Sequence, residues 1–214
     1  MDWIGIGNMI AIAGAAASGA LLAAEKRFDV VGAIFLAVAV GLGGGTLVDL
    51  LIGATPVRWL TNPYALPIAA FTGGVVFYTA GYVAKITRAL DWLDAFSLAL
   101  FTAAGLNYVL QHIQNPLSAG MLAILGACGG GMIRDVLASR PPMVFSGELY
   151  VTAVAAGVYV YFIVAVADLP AIVPFAICAG VTLALRAAAM LFRLRLSQPP
   201  ALNAPSDADD RRPN

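Results

Sequence analysis

The sequence predicts an all-α membrane protein with seven transmembrane helices, in which two inverted three-helix repeats are followed by a seventh helix. Three observations predict this fold class. Hydrophobic residues make up 61% of the 214 residues and charged residues 11%, and the mean hydropathy is +0.87, whereas soluble domains are about 25% charged. The apolar residues form seven separate stretches of helical length, and the chain contains an internal repeat with a period of 86 residues.

The first repeat contains three apolar stretches, each long enough for the roughly 20 residues that a membrane-spanning helix needs. The first stretch follows Met1 and Asp2 without the basic segment of a signal peptide, so we expect a retained helix. Charge ends this stretch at Glu25, and Pro56 ends the second because proline cannot continue a helix. The third stretch ends before Thr87 and Arg88. The predicted spans are Trp3–Ala24, Asp29–Gly53 and Tyr64–Lys85.

The second repeat and the end of the chain contain the other four stretches. Pro116, Pro142 and Pro170 each lie at or beside a break between two of them. The predicted spans are Asp91–Leu110, Pro116–Ala138, Gly147–Ala167 and Ala171–Leu196. The residues that follow are polar and rich in proline, so we expect a short disordered tail. The predicted units are therefore 1–86 and 87–168 for the repeats, 169–196 for the seventh helix and 197–214 for the tail.

The internal repeat determines how the two halves are oriented. A shift of 86 positions places Gly43–Gly45 on Gly129–Gly131 and Asp49 on Asp135, and further pairs agree across all three helices. Because each repeat holds an odd number of helices, the second copy must enter the membrane in the opposite direction. Inverted repeats of this kind place a substrate or ion site near the midplane, between the repeats.

Basic residues predict the orientation in the membrane. Seven of them fall at loops or helix ends on one side, whereas Arg58 is the single one on the other side. The positive-inside rule then places the C-terminus in the cytoplasm and the N-terminus outside. We therefore expect a multi-pass protein of the cell (inner) membrane. The seven residues are Lys26, Arg27, Lys85, Arg88, Arg140, Arg193 and Arg195.

Two glycine triplets, Gly43-Gly44-Gly45 and Gly129-Gly130-Gly131, lie inside the second and fifth spans. Each glycine costs about 1 kcal/mol relative to alanine in a helix interior, so a matched pair of triplets indicates a function. We predict that both helices kink and break there and line a cavity, because backbone left unpaired at membrane depth needs protein or water as a partner. Close packing of helices is the alternative, since small residues let backbones approach in lipid.

Ionisable residues follow each triplet about one helical turn later: Asp49 in the first copy, and Arg134 and Asp135 in the second. Ionisable groups at this depth usually face a bundle interior or a wet path. We assign the three residues to the ion path or its gating. A structural ion pair is the alternative for Arg134, because arginine is the preferred residue in interior pairs. In the gating hypothesis Arg134 either blocks the path or positions Asp135.

Residues that could carry other chemistry are few. Cys128 and Cys178 lie within spans and are expected to pack as small apolar residues, and His112 stands alone at a helix end, without the cluster that a metal site requires. The triplets lack the Lys-Ser/Thr of a phosphate-binding loop. We therefore expect no catalytic residue, metal, cofactor or nucleic-acid partner, and no enzymatic activity.

The residues from about Gly5 to Arg195 resemble the prokaryotic branch of the trimeric intracellular cation channel family. The resemblance is carried by two Gly-Gly-Gly-x-x-x-Asp segments, by the Pro-x-x-aromatic that follows each (Pro56 to Trp59, Pro142 to Phe145) and by the seven spans. In the family pattern an arginine precedes both aspartates. Here Arg134 precedes Asp135, but Val48 precedes Asp49, so the first copy lacks the adjacent cation.

The resemblance implies a function and an assembly. Members of the family are homotrimers in the membrane lipid, with a pore inside each protomer between the two glycine helices, and they conduct monovalent cations, chiefly potassium. The same prokaryotic sequences are also described as glycine transporters, so a secondary transporter of a small solute such as glycine is the alternative. A membrane scaffold without transport is a third class, against which the paired triplets argue. The selectivity for cations rests on the resemblance, because the residues alone leave the balance open: a helix that restarts after a break favours anions, whereas the carbonyls released before the break and the carboxylate of Asp49 favour cations.

Overall fold

The computed structural model describes residues 3–83, 86–167 and 169–197. The part of the chain that it describes is helical apart from turns and one isolated bridge between Glu148 and Arg195. Its helices are α1 (Trp3–Glu25), α2 (Val30–Leu51), α3 (Arg58–Thr61), α4 (Ala65–Thr79), α5 (Ile86–Val109), α6 (Pro116–Leu137), α7 (Val151–Ala165) and α8 (Ile172–Phe192). Among the described residues, six helices, one of them α4 continued to Tyr82, are long and apolar enough to cross a membrane, and α7 is a shorter apolar helix of 15 residues. The seven predicted helices are therefore confirmed.

Most predicted ends agree with the structure, and the differences have local causes. Asp29 caps α2 by accepting a hydrogen bond from the N–H of Gly32, which fixes the first turn of this helix. The predicted break at Thr87 and Arg88 is wrong, because α5 already begins at Ile86 and carries the exposed Arg88 in its first turn. The sixth span begins later than predicted, at Val151, after Gly147 with a φ of 76°. The predicted tail, apart from Ser197, lies outside the described residues.

The repeats pack through their corresponding helices. Helices α1, α2 and α4 form the first repeat, and α5, α6 and α7 form the second. Helix α1 lies against α5, α2 lies against α6, and α8 packs on α5 and α7. Alanines dominate the buried face of α1, where Ala11, Ala16, Ala20 and Ala23 are fully enclosed. Such small side chains bring the helix backbones close together, and close packing replaces the hydrophobic effect that lipid does not supply.

Both glycine triplets lie inside uninterrupted α-helices, so the predicted break is wrong. Packing explains the first two glycines of each triplet. A Cβ on Gly44 would overlap the carbonyl oxygen of Gly126, and one on Gly130 would lie 2.5 Å from the carbonyl oxygen of Val40. Gly43 and Gly129 likewise face side chains of the opposite helix. An intact helix keeps every backbone group paired within lipid, and the glycines let α2 and α6 touch.

The third glycine of each triplet has different surroundings. A Cβ on Gly45 would lie 3.5 Å from Nη2 of Arg58, and one on Gly131 would lie 2.9 Å from the hydroxyl of Tyr150 and 3.3 Å from Oδ1 of Asp94. Both glycines also line cavities. The triplets therefore combine two tasks: two glycines form the contact between the helices, and the third leaves space beside a charged group.

Candidate functional site

Asp49 lies at the centre of the first charged cluster. It is 1% exposed, and its carboxylate accepts hydrogen bonds from the backbone N–H and from Nε of Arg58, both at 2.8 Å. The guanidinium of Arg58 also lies over the ring of Tyr108, 3.5 Å from the ring centroid. Arg58 is the first residue of the short helix α3. The turn at residues 52–57 brings α3 next to the end of α2. Asp49 is therefore neutralised by a residue from outside its own helix.

Arg134 lies at the centre of the second cluster and is fully buried. Its Nε donates to Oδ1 of Asp135 at 3.0 Å, and its Nη1 donates to Oδ1 of Asp94 at 2.7 Å and to Oγ of Ser18 at 3.2 Å. Its Nη2 contacts the sulfur of Met143 at 3.2 Å. The other oxygen of Asp135 accepts the backbone N–H of Met143 at 3.0 Å. Arg134 thus joins α1, α5 and α6 to the loop after α6.

The two clusters are related by the internal repeat, with one exchange. Asp49 accepts the backbone N–H of Arg58, nine positions later, and Asp135 accepts that of Met143, eight positions later. A short helical turn begins at each of these two donors. The cation comes from different positions: Val48 corresponds to Arg134, and Arg58 corresponds to Val144, both by the shift of 86. The first copy therefore does not lack a cation, because Arg58 supplies it. The exchange of arginine and valine at equivalent positions was a signal for this pairing in the sequence.

A cavity of about 70 Å³ lies beside Asp49. We call it the Asp49 cavity. It lies between the two repeats and is lined by helices α1, α2, α4, α5 and α6 and by α3 and its flanking residues. Its volume is enough for a few water molecules. The polar and charged lining residues are Asn8, Asp49, Arg58, Trp59 and Asn62, and the apolar lining includes Gly45, Phe101 and Gly126.

A second cavity of about 10 Å³ lies beside Asp94, and we call it the Asp94 cavity. Its volume matches about one water molecule. Phe101 and residues of the glycine helices line both cavities. Both cavities therefore lie between the repeats inside one protomer, next to the contact between α2 and α6. The lining residues of the Asp94 cavity are Ala15, Ser18, Val40, Asp94, Ser97, Leu98, Phe101, Ala127, Gly130, Gly131 and Tyr150.

The structure also places the two cysteines, the histidine and two charged residues that sequence reasoning missed. Cys128 and Cys178 are buried thiols, and His112 is exposed, with its ring against Tyr108. Within residues 3–83, 86–167 and 169–197, no group of three or more His, Cys, Asp or Glu side chains could hold a metal. Sequence reasoning missed Arg58 as the partner of Asp49, and missed Asp94. An ionisable residue inside the fourth predicted span was the available signal for Asp94.

Comparison with known proteins places this chain in a family. The family model described as "Glycine transporter" matches the chain twice, at residues 6–81 and 91–166. The UPF0126 membrane protein of Vibrio cholerae is 36% identical over 154 residues, which are 70% of this chain and 63% of that protein. The UPF0126 inner membrane protein YadS of Escherichia coli K12 is 36% identical over 66% of this chain and 69% of its own length. The UPF0126 membrane protein of Deinococcus radiodurans is 33% identical over 84% and 81%.

Solved structures agree with the sequence relatives. The TRIC trimeric intracellular cation channel orthologue from Rhodobacter sphaeroides superposes with a TM-score of 0.87 at 28% identity, over 91% of this chain and 100% of that chain. A prokaryotic TRIC channel in 0.5 M KCl superposes with a TM-score of 0.83 at 27% identity, over 90% and 98%. These neighbours are membrane channels rather than enzymes. The chain is therefore a multi-pass membrane protein that belongs to the family described as glycine transporters, in the prokaryotic branch of the TRIC trimeric intracellular cation channels.

Proposed function

We propose that the protein conducts monovalent cations, chiefly potassium, along a path inside each protomer of a homotrimer. The observation that carries the proposal is the pair of cavities next to the contact between α2 and α6, both lined by Phe101, each with a buried carboxylate in its lining: Asp49 in one and Asp94 in the other. Opening requires movement at Phe101 and at this contact. The proposed function needs no cofactor, because passive permeation involves only the cation and the path. Potassium as the physiological ion is suggested by the family.

The buried charges support cations over anions. Asp49 and Arg58 form a neutral pair beside the larger cavity. Beside the smaller cavity, Asp94 and Asp135 share the single cation Arg134, which leaves the group with one net negative charge. A negative charge in a poorly solvated interior attracts cations strongly. We propose that Asp49 lies in the ion path. Arg134 and Asp135 line neither cavity and are fully buried, so we propose that Arg134 contributes to gating by bracing Asp94 and Asp135 rather than by plugging the path.

Current through purified protein in a planar bilayer tests the function, and the Asp49 pair tests the path. In a potassium gradient the wild type should give discrete current steps with cation preference. Arg58→Gln leaves Asp49 unpaired and should raise cation conductance, whereas Asp49→Asn leaves Arg58 unpaired and should lower it. We expect each change to be about twofold or more, because one unit charge is exposed beside the path. The asparagine can still accept the backbone N–H of Arg58, which makes it a close structural match.

Equal currents in both variants would exclude the Asp49 cavity from the path. Absence of any wild-type current, combined with saturable uptake of radiolabelled glycine into proteoliposomes, would instead favour a transporter. One observation favours this second candidate: the Asp49 cavity is lined by a carboxylate and a guanidinium, the two charges that a zwitterionic amino acid would need, provided that the solute separates the Asp49–Arg58 pair. The name of the family model points the same way.

Assembly as a homotrimer is proposed because the solved relative from Rhodobacter sphaeroides is a trimeric channel and because the helices have apolar outer faces, which face lipid or other protomers. Phe35, Phe71 and Tyr159 are each more than two thirds exposed in the single chain. Chemical crosslinking in mild detergent should therefore stop at three protomers. Crosslinking that yields monomers alone, with full conductance, would show that a protomer works without partners.

Orientation in the cell (inner) membrane is proposed from the basic residues, with the N-terminus outside and the C-terminus in the cytoplasm. A protease-cleavable tag at the C-terminus should remain intact when intact cells or spheroplasts are treated with protease. After the membrane is permeabilised, the same tag should be cleaved. Cleavage in unbroken spheroplasts would reverse the orientation, and a tag at the N-terminus provides the matched control with the opposite expected result.

A further inference from the structure

We propose that the segment after α8 is a regulatory strap, which keeps the Asp94 cavity closed and opens it when released. The strap comprises residues 194–196, and it holds the loop between α6 and α7, residues 138–150. We call these two segments the C-terminal strap and the α6–α7 loop. The inference rests on the proposed function, because closing a cavity regulates the protein only if ions pass through it.

The C-terminal strap forms because the chain changes direction at the end of α8. Arg193 has a φ of 54°, a left-handed conformation that is uncommon outside glycine and that often ends a helix. Beyond it, the N–H of Leu196 donates to the carbonyl oxygen of Gly147 at 2.7 Å, and Arg195 pairs with Glu148 in an antiparallel bridge. The strap residues are exposed, and an exposed contact of this size opens more easily than the packed helices do.

Arg186 attaches the same part of the α6–α7 loop to α8. It is fully buried, and its Nη1 donates to Oε2 of Glu148 and to the carbonyl oxygen of Leu149, both at 3.4 Å. Its guanidinium lies over the ring of Tyr150, 4.8 Å from the ring centroid. Both hydrogen bonds are long for an N–H donor and an oxygen acceptor. Arg186 therefore holds the loop weakly by itself, and the strap supplies the shorter bond.

The α6–α7 loop connects this attachment to the Asp94 cavity through its last residue, Tyr150. Tyr150 is 2% exposed and lines the cavity, with its hydroxyl close to Gly131. Its N–H donates to the carbonyl oxygen of Glu148 at 2.8 Å, so the residue bridged by the strap and the residue at the cavity belong to one tight turn. Displacement of Glu148 would therefore move Tyr150 away from the cavity.

The first repeat provides an internal comparison, because it has the equivalent loop without a strap. By the shift of 86, Tyr64 corresponds to Tyr150. The element that follows the first repeat is α5, and among the described residues the loop before Tyr64 forms no β-bridge. Tyr64 is 61% exposed and lies outside the lining of the Asp49 cavity. That cavity has a volume of about 70 Å³, against about 10 Å³ for the Asp94 cavity, so the copy with the strap is the closed one.

A disulfide across the bridge tests the strap within a single protein. Residues paired across an antiparallel bridge have Cα atoms about 4.5–5.5 Å apart, a separation that a disulfide spans. The full chain with Glu148→Cys and Arg195→Cys is measured in a planar bilayer with a potassium gradient, first oxidised with copper phenanthroline and then reduced with a phosphine. We expect oxidation to remove most of the current and reduction to restore it. Glu148→Cys alone, treated in the same way, should show no difference between the two conditions.

Leu196→Pro releases the strap in the full chain, because proline has no N–H to donate to Gly147. We expect the open-state occupancy to rise by about two- to tenfold, the factor that corresponds to the loss of one backbone hydrogen bond. Hydrogen–deuterium exchange of the amides in residues 146–150, measured by mass spectrometry in detergent, should accelerate by a similar factor. Ser197→Pro is the matched control, since the N–H of Ser197 donates no hydrogen bond to the described residues, and it should behave as the wild type does.

The proposal is overturned if the disulfide forms without lowering the current, if it cannot be formed at all, or if Leu196→Pro exchanges no faster than Ser197→Pro. Faster exchange in Leu196→Pro without a rise in current also overturns the regulatory role. If the double cysteine variant does not fold, Leu196→Pro decides. Wild-type current that neither variant changes refutes the strap and leaves the channel intact. Absence of current in every form, combined with faster exchange in Leu196→Pro, refutes the channel and leaves the hold of the strap on the loop.

Discussion

Gly44→Ala is expected to remove most of the folded protein, although the substitution adds a single methyl group in a membrane helix. The added Cβ would overlap the carbonyl oxygen of Gly126 and lie 3.1 Å from the backbone nitrogen of Gly130. Both neighbours are backbone atoms of α6, which cannot rotate away as a side chain can. We expect a loss of about 3 kcal/mol or more in the free energy of unfolding, at or above the upper end of ordinary overpacking.

The measurement is the Tm in detergent together with the fraction of monodisperse protein in size-exclusion chromatography. Gly180→Ala is the matched control, because Gly180 lies inside α8 and a Cβ there would meet nothing within 4 Å. Alanine at this position should leave the Tm unchanged or raise it slightly. The gain in the free energy of unfolding is at most about 1 kcal/mol, the difference in helix propensity between alanine and glycine. If Gly44→Ala melted like Gly180→Ala, the direct contact between α2 and α6 would be refuted.

Arg134→Met is expected to have the second large effect. The substitution keeps much of the side-chain volume but leaves Asp94 and Asp135 buried without their shared cation. Breaking a buried ion pair from one side costs about 3–5 kcal/mol, so we expect poor expression and a strongly lowered Tm rather than a wider pore. Adding Asp94→Asn to Arg134→Met removes one of the two uncompensated charges and should recover part of the lost stability.

Arg88→Met is the control for the loss of an arginine as such. Arg88 is exposed in the first turn of α5, and surface substitutions of this kind usually change stability by less than about 0.5 kcal/mol. All three variants can be compared by the same thermal unfolding measurement in one detergent. A stable Arg134→Met protein with raised conductance would support the blocking alternative for Arg134 over the bracing role.

The fold class could be predicted from the sequence because lipid imposes a simple rule. Each spanning segment must be about 20 apolar residues long and must pair its backbone groups internally, so composition alone marks the helices. The period of 86 residues then identifies two copies of one unit, and an odd number of helices in each copy forces the inversion. The sequence also marked Asp49, Arg134 and Asp135 as special, because ionisable residues within apolar spans are costly.

The tertiary structure alone decided what the glycines and charges contact. A triplet of glycines is compatible with a broken helix or with two touching helices, and the choice depends on whether a partner backbone approaches. In this protein the opposite helix approaches Gly44 and Gly130, and both helices stay intact. Pairings such as Asp49 with Arg58, and Arg134 with Asp94, join residues 9 and 40 positions apart. No period along the chain determines such pairs, because helix packing in three dimensions selects which buried charges meet.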